Sequence, residues 1–443
     1  KGTKITWMGS LPHGWTDQVD AAHGGRHDGW LEAKRSGEGA YAAMPLTMGY
    51  YTREDLPFYY ALADAFTVCD QNFCSSLTGT TPNRLYLWTG TCRDPRDPAA
   101  HARVLNSDTD YGVEAAWTTF PERLEALGIP WNTYQNEISL GSGLSGESDA
   151  WLSNFTDNPL EWFTQFNVRF SPSRRAFVAR RVSEIPAELK DVEAKLSAGT
   201  GDKAKLEKHR RALVADLAEY KAEAARYTAE AWDKLPAREK SLHERAFANN
   251  AADPDSRALA VHEYDDAGQR RRLEVPKGDS LLQFRRDVEG GKLPAVSWLV
   301  APERFSDHPG SAWYGAWYVS EVLGILTRNP AVWRRTIFVL TYDENDGYFD
   351  HVPPFQAPDP SDPSTGRVSP GADCAAEYVT MAEERARKAP GECRRNSIGL
   401  GFRVPMVVCS PWSRGGAVCS QVFDHTSVIQ LVEKVFARRT GGR

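Results

Sequence analysis

The sequence has 443 residues, more than one average domain, so it could form two domains or one large α/β domain with insertions. Its 41% of hydrophobic and 25% of charged residues are ordinary for a globular protein. The net charge of −6 argues against a nucleic-acid groove, which requires a basic surface. No apolar run approaches the roughly 18 residues that a membrane span needs.

The start of the sequence resembles the interior of a domain rather than a leader. The segment Lys1–Trp7 lacks the apolar stretch of a signal peptide. We therefore expect further residues upstream of it in the full-length protein.

Seven cysteines are present, and an odd number leaves at least one of them unpaired. No Cys-x-x-Cys pair occurs, which argues against a structural zinc site. The spacing allows disulfides between Cys374 and Cys393 and between Cys409 and Cys419, or free thiols at all four positions. Disulfides would indicate an oxidising compartment.

The first predicted elements alternate between helix and strand. Leu85–Trp88 is typical of the first turns of a helix, and Pro82 just before it suits a helix start. Phe120–Ala126 indicates a helix that ends at Gly128, and Trp131–Tyr134 indicates a short strand.

The middle of the chain differs in kind. Apolar residues recur at helical spacing from Leu189 to Leu196 and from Leu206 to Tyr220, with charged residues between them and a Gly-Thr-Gly break at 199–201. This pattern predicts an antiparallel helical hairpin, inserted over residues 185–250. The hairpin could be a structural arm or a partner-binding surface.

The alternation of strands and helices then returns. Pro294–Val300 indicates a strand, and the apolar run Thr336–Thr341 indicates a buried parallel strand, with a helix over Trp313–Thr327 between them. Val404–Cys409 indicates another strand, and Thr426–Arg439 the closing helix. The order predicts an α/β fold with a central, mostly parallel sheet and helices on both faces. Ligands of such sheets bind at the carboxyl ends of the strands.

Four polar residues, Asp343–Asp346, follow the apolar run that ends at Thr341. Carboxylates at the end of a buried strand are costly without a partner, and a hard divalent cation is the usual partner. A charged surface loop is the alternative. His351, a few residues later, could support the site or pack in the loop.

A second cluster, Thr80–Arg84, reads Thr-Thr-Pro-Asn-Arg before the predicted helix. A hydroxyl at a helix N-terminus lies where backbone N–H groups and the helix dipole stabilise an anion. Such a hydroxyl could act as a nucleophile, and a plain N-cap threonine is the alternative. Arg84 could bind phosphoryl oxygens in a bidentate manner.

Ten histidines occur, and His13, His27, His308 and His425 lie in loops beside Gly, Pro or Asp residues. Loop imidazoles could bind phosphoryl oxygens and protonate a leaving alkoxide. Any one of them alone could equally be structural.

Taken together, these motifs resemble the bacterial phosphocholine-specific phospholipases C and their relative acid phosphatase A, within the alkaline-phosphatase-like superfamily. The similarity runs, with gaps, from about residue 10 to residue 436. It rests on residues 77–90, 341–347 and 349–354, with shorter matches at 12–15, 24–26 and 423–427.

The resemblance implies a metal-dependent phosphodiester hydrolase of phospholipase C type, with one or two divalent ions. It implies a phospho-threonine intermediate on Thr80, which is chosen over Thr81 by its Thr-x-Pro-Asn spacing. Thr80 is also an implied metal ligand, together with Asp343 and Glu344.

The same resemblance extends to the groups around the substrate. His13 and His308 match histidines that contact phosphate or act as acid and base. Asn83, Arg84 and His425 are the implied substrate-binding residues.

These assignments divide the chain into three parts. Residues 1–184 would form the first part of the catalytic α/β domain with the nucleophile, 185–250 the hairpin, and 251–443 the second part with the metal-binding carboxylates. The implied partners are a phospholipid or a small phosphoester, with peripheral membrane contact and no transmembrane segment. The implied location is secreted or periplasmic.

Two departures from the family pattern keep other functions open. The family's Glu-Asn-Arg-Ser-Phe-Asp-His segment, whose Glu and Asn are metal ligands, is expected before residue 1. The long phospholipases of the family carry C-terminal β-domains, and from the sequence we expect a catalytic part without them. An acid phosphatase, a sphingomyelinase-like enzyme and a non-catalytic phosphocholine-binding protein are the alternatives. Trp131, Tyr134 and Trp151 could form an aromatic cage for choline or pack in the core.

Overall fold

The computed structural model describes residues 8–310, 312–372 and 374–437, and it confirms the α/β class. The helices of these residues are α1 (Trp15–Ala22), α2 (Trp30–Ala33), α3 (Pro57–Ala65), α4 (Thr80–Thr89), α5 (Phe120–Ala126), α6 (Glu147–Leu152), α7 (Pro172–Ser197), α8 (Lys203–Arg226), α9 (Ala229–Asp233), α10 (Ala237–Ala246), α11 (Leu282–Glu289), α12 (Ala312–Arg328), α13 (Pro330–Trp333), α14 (Met381–Arg385) and α15 (His425–Phe436). The strands are β1 (Thr67–Cys69), β2 (Trp131–Tyr134), β3 (Leu259–Asp266), β4 (Gln269–Pro276), β5 (Val296–Leu299), β6 (Phe338–Thr341), β7 (Tyr378–Val379), β8 (Asn396–Ser397), β9 (Met406–Cys409) and β10 (Val418–Cys419).

The strands of the described residues form separate sheets rather than the single central sheet that was predicted. A four-stranded sheet has the order β10-β1-β9-β6, in which β9 runs antiparallel to both of its neighbours. Strands β2 and β5 form a parallel pair, and β3–β4 and β7–β8 form antiparallel hairpin-like pairs. The four-stranded sheet and the β2–β5 pair are separate because β5 and β6 are not hydrogen-bonded to each other.

Most predicted elements coincide with observed ones within about two residues, a normal uncertainty at element ends. Helix α5 and strand β2 have the predicted bounds. Strand β6 differs in burial: its four residues are half-buried rather than buried, because only one of its edges is paired, with the antiparallel β9. No helix among the described residues is both long and apolar enough to cross a membrane.

Two apolar clusters hold the strands against the helices. In the first, α4 and α15 pack near β5, where the rings of Trp88 and Trp298 stack with their centroids 4.6 Å apart. In the second, Leu62 of α3, Val319 of α12 and Val407 of β9 are buried together. Apolar burial therefore sets the positions of these helices against the strands.

The predicted helical hairpin is present as α7 and α8, joined by the Gly-Thr-Gly turn. Its apolar seam contains Ile185, Val192 and Leu213. The hairpin begins at Pro172, earlier than the sequence pattern indicated, and α10 beyond it packs into the first apolar cluster. The three-part division of the chain remains a prediction.

Neither of the disulfides that the spacing allowed is present, since all seven cysteines are free thiols. Strand β1 lies between β9 and β10, so Cys419 is opposite Cys69, and the whole of β1 separates it from Cys409. Cys374 and Cys393 make separate contacts with backbone carbonyl oxygens. The cysteines therefore give no support for an oxidising compartment.

A buried carboxylate links α3, α12 and the end of β6. The hydroxyls of Tyr59 and Tyr342 donate hydrogen bonds of 2.5 and 2.6 Å to Asp307 Oδ2. A Cβ at Gly315 of α12 would lie 1.8 Å from Asp307 Oδ1, so only glycine permits this approach. Burial raises the pKa of Asp307 to about 6, against the opposing effect of the two hydroxyls.

Replacing Gly315 by alanine should destabilise the protein. The new methyl group would displace Asp307 from its two tyrosine partners, at a cost of about 1–3 kcal/mol in the free energy of unfolding. The matched control is Gly324→Ala in the same helix, where the nearest atoms are 3.7 Å away. The control should gain about 0.5–1 kcal/mol from helix propensity. Urea unfolding measures both, and equal effects at the two positions would contradict the close packing.

Replacing Asp307 by asparagine should stabilise the protein relative to the parent more at high pH than at low pH. Because the folded-state pKa is raised to about 6, the contribution of Asp307 is fully present below the unfolded pKa of about 4 and is lost as the pH rises through 6. Asparagine does not titrate, so the variant should gain up to about 3 kcal/mol relative to the parent between pH 4 and pH 8. Urea unfolding across this range is the measurement.

The matched control for this pH dependence is Asp64→Asn. Asp64 is exposed, and Arg53 lowers its pKa, so no gain toward high pH is expected there. If the free energies of unfolding of Asp307→Asn and the parent differ by the same amount at every pH, the raised pKa of Asp307 is contradicted.

Candidate active site

Helix α4 begins at Thr80 beside His13. The side chain of Asn83 shapes the preceding loop by donating to the carbonyl oxygens of Ser76, Thr78 and Gly79 and by accepting from the Ser76 N–H. The amide of Asn83 is thus buried in the loop, which supports a positioning role rather than the predicted contact with substrate.

Close packing fixes the distance between the start of α4 and the histidine. A Cβ at Gly79 would lie 3.3 Å from both His13 Cδ2 and Asn106 Oδ1. Asn106 also accepts a hydrogen bond of 3.0 Å from the Thr81 N–H. Thr80 and Arg84 lie four residues apart, so they share one face of α4. That face carries the candidate nucleophile toward the loop after β6, where the partner of Arg84 lies.

Two histidines and two carboxylates meet in this loop region. His13 Nδ1 is 3.1 Å from Asp346 Oδ1, and His13 Nε2 is 3.8 Å from Glu344 Oε1. His308 Nδ1 is 3.4 Å from Asp346 Oδ2, and the two imidazole rings are 5.9 Å apart. Glu344 and Asp346 are each only 7% exposed. The structure thus brings together His13, His308 and Glu344, as predicted, and adds Asp346.

Burial and charge oppose each other at this cluster. Burial disfavours a protonated His13, but the hydrogen bond to Asp346 and the charges of Glu344 and Asp346 outweigh it and raise the pKa of His13 to about 9. Burial raises the pKa of Glu344, and the charge of His13 opposes this. The cluster therefore stabilises a proton on His13 at neutral pH.

Arg84 bridges two acidic side chains. Its Nε donates to Asp343 Oδ2 at 2.9 Å, and its Nη2 lies 3.2 Å from Asp157 Oδ2. Burial opposes ionisation of Asp343, but the charge of Arg84 lowers its pKa. Burial raises the pKa of Asp157 despite the same arginine. Arg84 is thus committed to carboxylates in this structure, and its phosphoryl contact remains a prediction.

His425 supports the site from behind. It is the first residue of α15 and is 2% exposed. Its Nδ1 accepts from the Ser75 N–H at 3.3 Å, which leaves Nε2–H to donate to the Tyr342 carbonyl oxygen at 3.0 Å. Burial lowers its pKa, so the ring is neutral. These contacts position the residue before Asp343, and the substrate-binding role of His425 remains a prediction.

A buried lysine holds the loop that carries His13. Lys34 Nζ donates to the Pro12 carbonyl oxygen at 2.8 Å and to Gln18 Oε1 at 2.6 Å. The Gln18 amide in turn donates to Asn345 Oδ1 at 2.7 Å. Burial lowers the pKa of Lys34 to about 7. This chain of hydrogen bonds ties the N-terminal loop to the loop after β6.

The donor atoms of the cluster fit a divalent cation. Among the described residues, His13, Glu344 and Asp346 each offer a ligand atom, and these atoms lie within 4.8 Å of one another. Asp346 Oδ2 is buried without a hydrogen bond. Mixed carboxylate and imidazole donors suit first-row transition ions as well as harder cations. Asp343 is adjacent but ion-paired, and ligation by Asp343 and Thr80 remains a prediction.

The sequence pattern missed several site residues. Asp346 was visible in the Asp-Glu-Asn-Asp cluster but was not assigned a role. Asp157 and Lys34 lie in segments with no motif, so nothing in the sequence marked them. Trp131, Tyr134 and Trp151 are at most 3% exposed and pack in the core, which rules out the choline cage that they could have formed.

Comparison with known proteins identifies the family of the chain. The chain matches the Phosphoesterase family over residues 2–200 and 238–437, and the stretch between these ranges contains all of α8. It is 34% identical to the non-hemolytic phospholipase C of Burkholderia pseudomallei, over 98% of this chain and 46% of that protein.

Two further relatives are similar over the same region. The non-hemolytic phospholipase C of Pseudomonas aeruginosa is 35% identical over 98% of this chain and 45% of its own length. Phospholipase C A of Mycobacterium tuberculosis is 32% identical over 96% of this chain and 58% of its own length. The chain thus spans about half the length of the curated relatives it matches. With nearly its whole length matched, the chain belongs to the Phosphoesterase family.

Proposed function

We propose that this chain is the catalytic part of a metal-dependent phosphodiester hydrolase of phospholipase C type. The observation that carries the proposal is the buried cluster of His13, Glu344 and Asp346 next to the start of α4. A hydroxyl, a proton donor and a set of cation ligands are the groups that phosphoryl transfer needs. The phospholipase C names of the relatives support the diester as the substrate class.

In the proposed first step, the Thr80 hydroxyl oxygen attacks the phosphorus of the substrate. A bond forms between this oxygen and phosphorus, and the bond to the leaving alkoxide breaks. His308 accepts the proton of Thr80, and His13, whose raised pKa keeps it protonated, donates its proton to the alkoxide. The products are an alcohol, such as diacylglycerol, and a phospho-threonine.

In the second step, water attacks the phospho-threonine. Its proton passes to His13, and the proton on His308 returns to the Thr80 oxygen, so both histidines recover their starting states. The released product is the phosphomonoester, which is phosphocholine if the substrate is a choline lipid. A divalent cation would be held by the carboxylates of Glu344, Asp346 and Asp343, with His13 left as the proton donor rather than a ligand. It would neutralise charge on the phosphoryl oxygens.

The surroundings of the cluster also support contact with a lipid surface. The Thr47 hydroxyl donates to the Gly347 carbonyl oxygen at 2.8 Å, which attaches its loop to the candidate site. Met48 and Tyr50 of this loop are 44% and 81% exposed. Exposed apolar and aromatic side chains beside a site are typical of membrane contact. We propose peripheral binding, with a secreted or periplasmic location as the resemblance implies.

Removing the Thr80 hydroxyl should abolish turnover without unfolding the protein. Thr80→Ala should lower kcat by about 10³-fold or more, as loss of a nucleophile does. Thr81→Ala is the matched control, because Thr81 is the other candidate hydroxyl and is buried in α4. The Thr81→Ala control should keep most of the activity. If instead Thr81→Ala is inactive and Thr80→Ala is active, the nucleophile is Thr81. Circular dichroism checks the fold of both variants.

Substrate preference should distinguish the candidate functions. We expect p-nitrophenyl phosphorylcholine to be hydrolysed faster than p-nitrophenyl phosphate, and chelation followed by divalent metal addition should remove and restore this activity. A preference for the monoester would instead indicate an acid phosphatase. Phosphocholine binding without turnover of either ester would indicate a binding protein, and turnover that resists chelation would contradict the metal dependence.

A further inference from the structure

A cavity of about 1040 Å³ separates β5 from β6. One wall is formed by residues 296–300 and the opposite wall by residues 337–342. Its remaining surface is largely apolar, with side chains from α4, α12 and α15 that include Trp88, Val319, Val322, Ile429 and Val432. We call it the inter-sheet cavity. Because protein interiors are close-packed, so large an apolar space between two strands needs an explanation.

The edge of β5 presents unpaired donors to this cavity. The N–H groups of Val296 and Val300 donate to the Pro130 and Tyr134 carbonyl oxygens on the β2 side, at 3.1 and 2.9 Å. Successive N–H groups of a strand point to opposite sides, so those of Ser297 and Leu299 point away from β2. Among the described strands, β5 pairs with β2 alone.

The edge of β6 faces the same cavity. Within the described residues, β6 pairs only with β9, and residues 337–342 line the cavity along its other edge. Both strands end at one mouth, because Tyr342, just after β6, bonds to Asp307 in the loop after β5. The cavity therefore lies between two unpaired edges of strands that run in the same direction.

We propose that a β-strand from the part of the protein that precedes Lys1 occupies the inter-sheet cavity, pairing with β5 on one edge and with β6 on the other. The strands would then form one sheet in the order β10-β1-β9-β6-new strand-β5-β2. In that sheet β9 is the antiparallel member, and the rest run parallel. This is the mostly parallel central sheet that the alternation of strands and helices predicted.

Hydrogen bonding favours a polypeptide strand over a lipid chain as the occupant. A buried backbone N–H or C=O without a partner is costly, and two facing strand edges present a row of them. An acyl chain would fill the volume but would leave these groups unpaired. A strand supplies donors and acceptors on both of its edges, and its apolar side chains would meet the helices above and below.

The position of the N-terminal loop identifies the source of the strand. The Leu11 N–H donates to the Asp346 carbonyl oxygen at 3.4 Å, and the Tyr348 hydroxyl donates to the Gly9 carbonyl oxygen at 2.7 Å. These contacts place the loop at the mouth where β5 and β6 end. A parallel strand upstream would also end there. A stretch of seven residues can span at most about 24 Å, so the sequence before Met8 is long enough to connect such a strand.

Hydrogen exchange tests the proposal directly. The 443-residue chain is compared with the protein expressed from its complete reading frame, by mass spectrometry of peptides that cover β5 and β6. In the longer form, the amides of Ser297 and Leu299 and of the free β6 edge should exchange at least about a hundredfold more slowly. If the 443-residue chain is unfolded and the longer form is folded, the difference in amide exchange between the two forms would be at its largest.

A proline substitution tests the edge itself. Ser297→Pro removes an N–H that points away from β2, so it should leave the 443-residue chain as stable as the parent. In the longer form it should reduce protection across β6 at least about tenfold, because it blocks pairing with the new strand. Ser297→Ala, which keeps the N–H, is the matched control and should have little effect in either form.

Other outcomes would overturn the proposal. Equal exchange in the two forms, or a reading frame without an apolar strand-forming segment upstream of Lys1, would exclude the N-terminal strand. Protection that appears only with residues added after residue 443 would assign the cavity to the C-terminal side of the chain. Protection of the 443-residue chain by phosphatidylcholine vesicles would assign it to an acyl chain, and protection that rises with protein concentration would assign it to a second copy.

Discussion

Three carboxylates, Asp343, Glu344 and Asp346, lie within four residues of one another at the end of β6, and the rest of the candidate site depends on compensating their charge. Carboxylates that are close together and shielded from water repel each other and lose hydration, which is costly unless cations or hydrogen bonds offset it. Arg84 pairs with the first of them, and His13 lies between the other two. A divalent cation is the remaining compensation that their oxygen atoms can accept.

Each compensating group comes from a different part of the chain. Arg84 belongs to α4, so its ion pair also orients the helix face that carries Thr80. His13 lies on the N-terminal loop, which Lys34 holds and which Gly79 allows to approach α4. One requirement, the neutralisation of buried acid groups, thus brings the candidate nucleophile, the proton donor and the cation ligands to the same place.

The scaffold behind these groups is divided along the inter-sheet cavity. Strand β6 carries the acidic loop at its carboxyl end yet has hydrogen-bonded support on one side only. Strand β5 leads to Asp307, whose link to Tyr342 crosses the mouth of the cavity. The two halves therefore meet around the site mainly through side chains and the covering helices. Helix α15 contributes to both, because its partly buried apolar residues pack against the first apolar cluster and His425 bonds to the Tyr342 carbonyl oxygen.

The sequence by itself determined the local elements, the family and the acidic and hydroxyl motifs, because these depend on neighbouring residues: apolar periodicity for α12 and β6, and Thr-x-Pro-Asn spacing for Thr80. Only the tertiary structure decided which distant groups meet. It brought Asp157 to Arg84, bonded the Asn83 amide to the loop before α4, and left β5 and β6 unpaired with each other. Such outcomes depend on hydrogen bonding, packing and charge compensation among groups that meet only in the folded chain, and the periodicity of a sequence does not encode them.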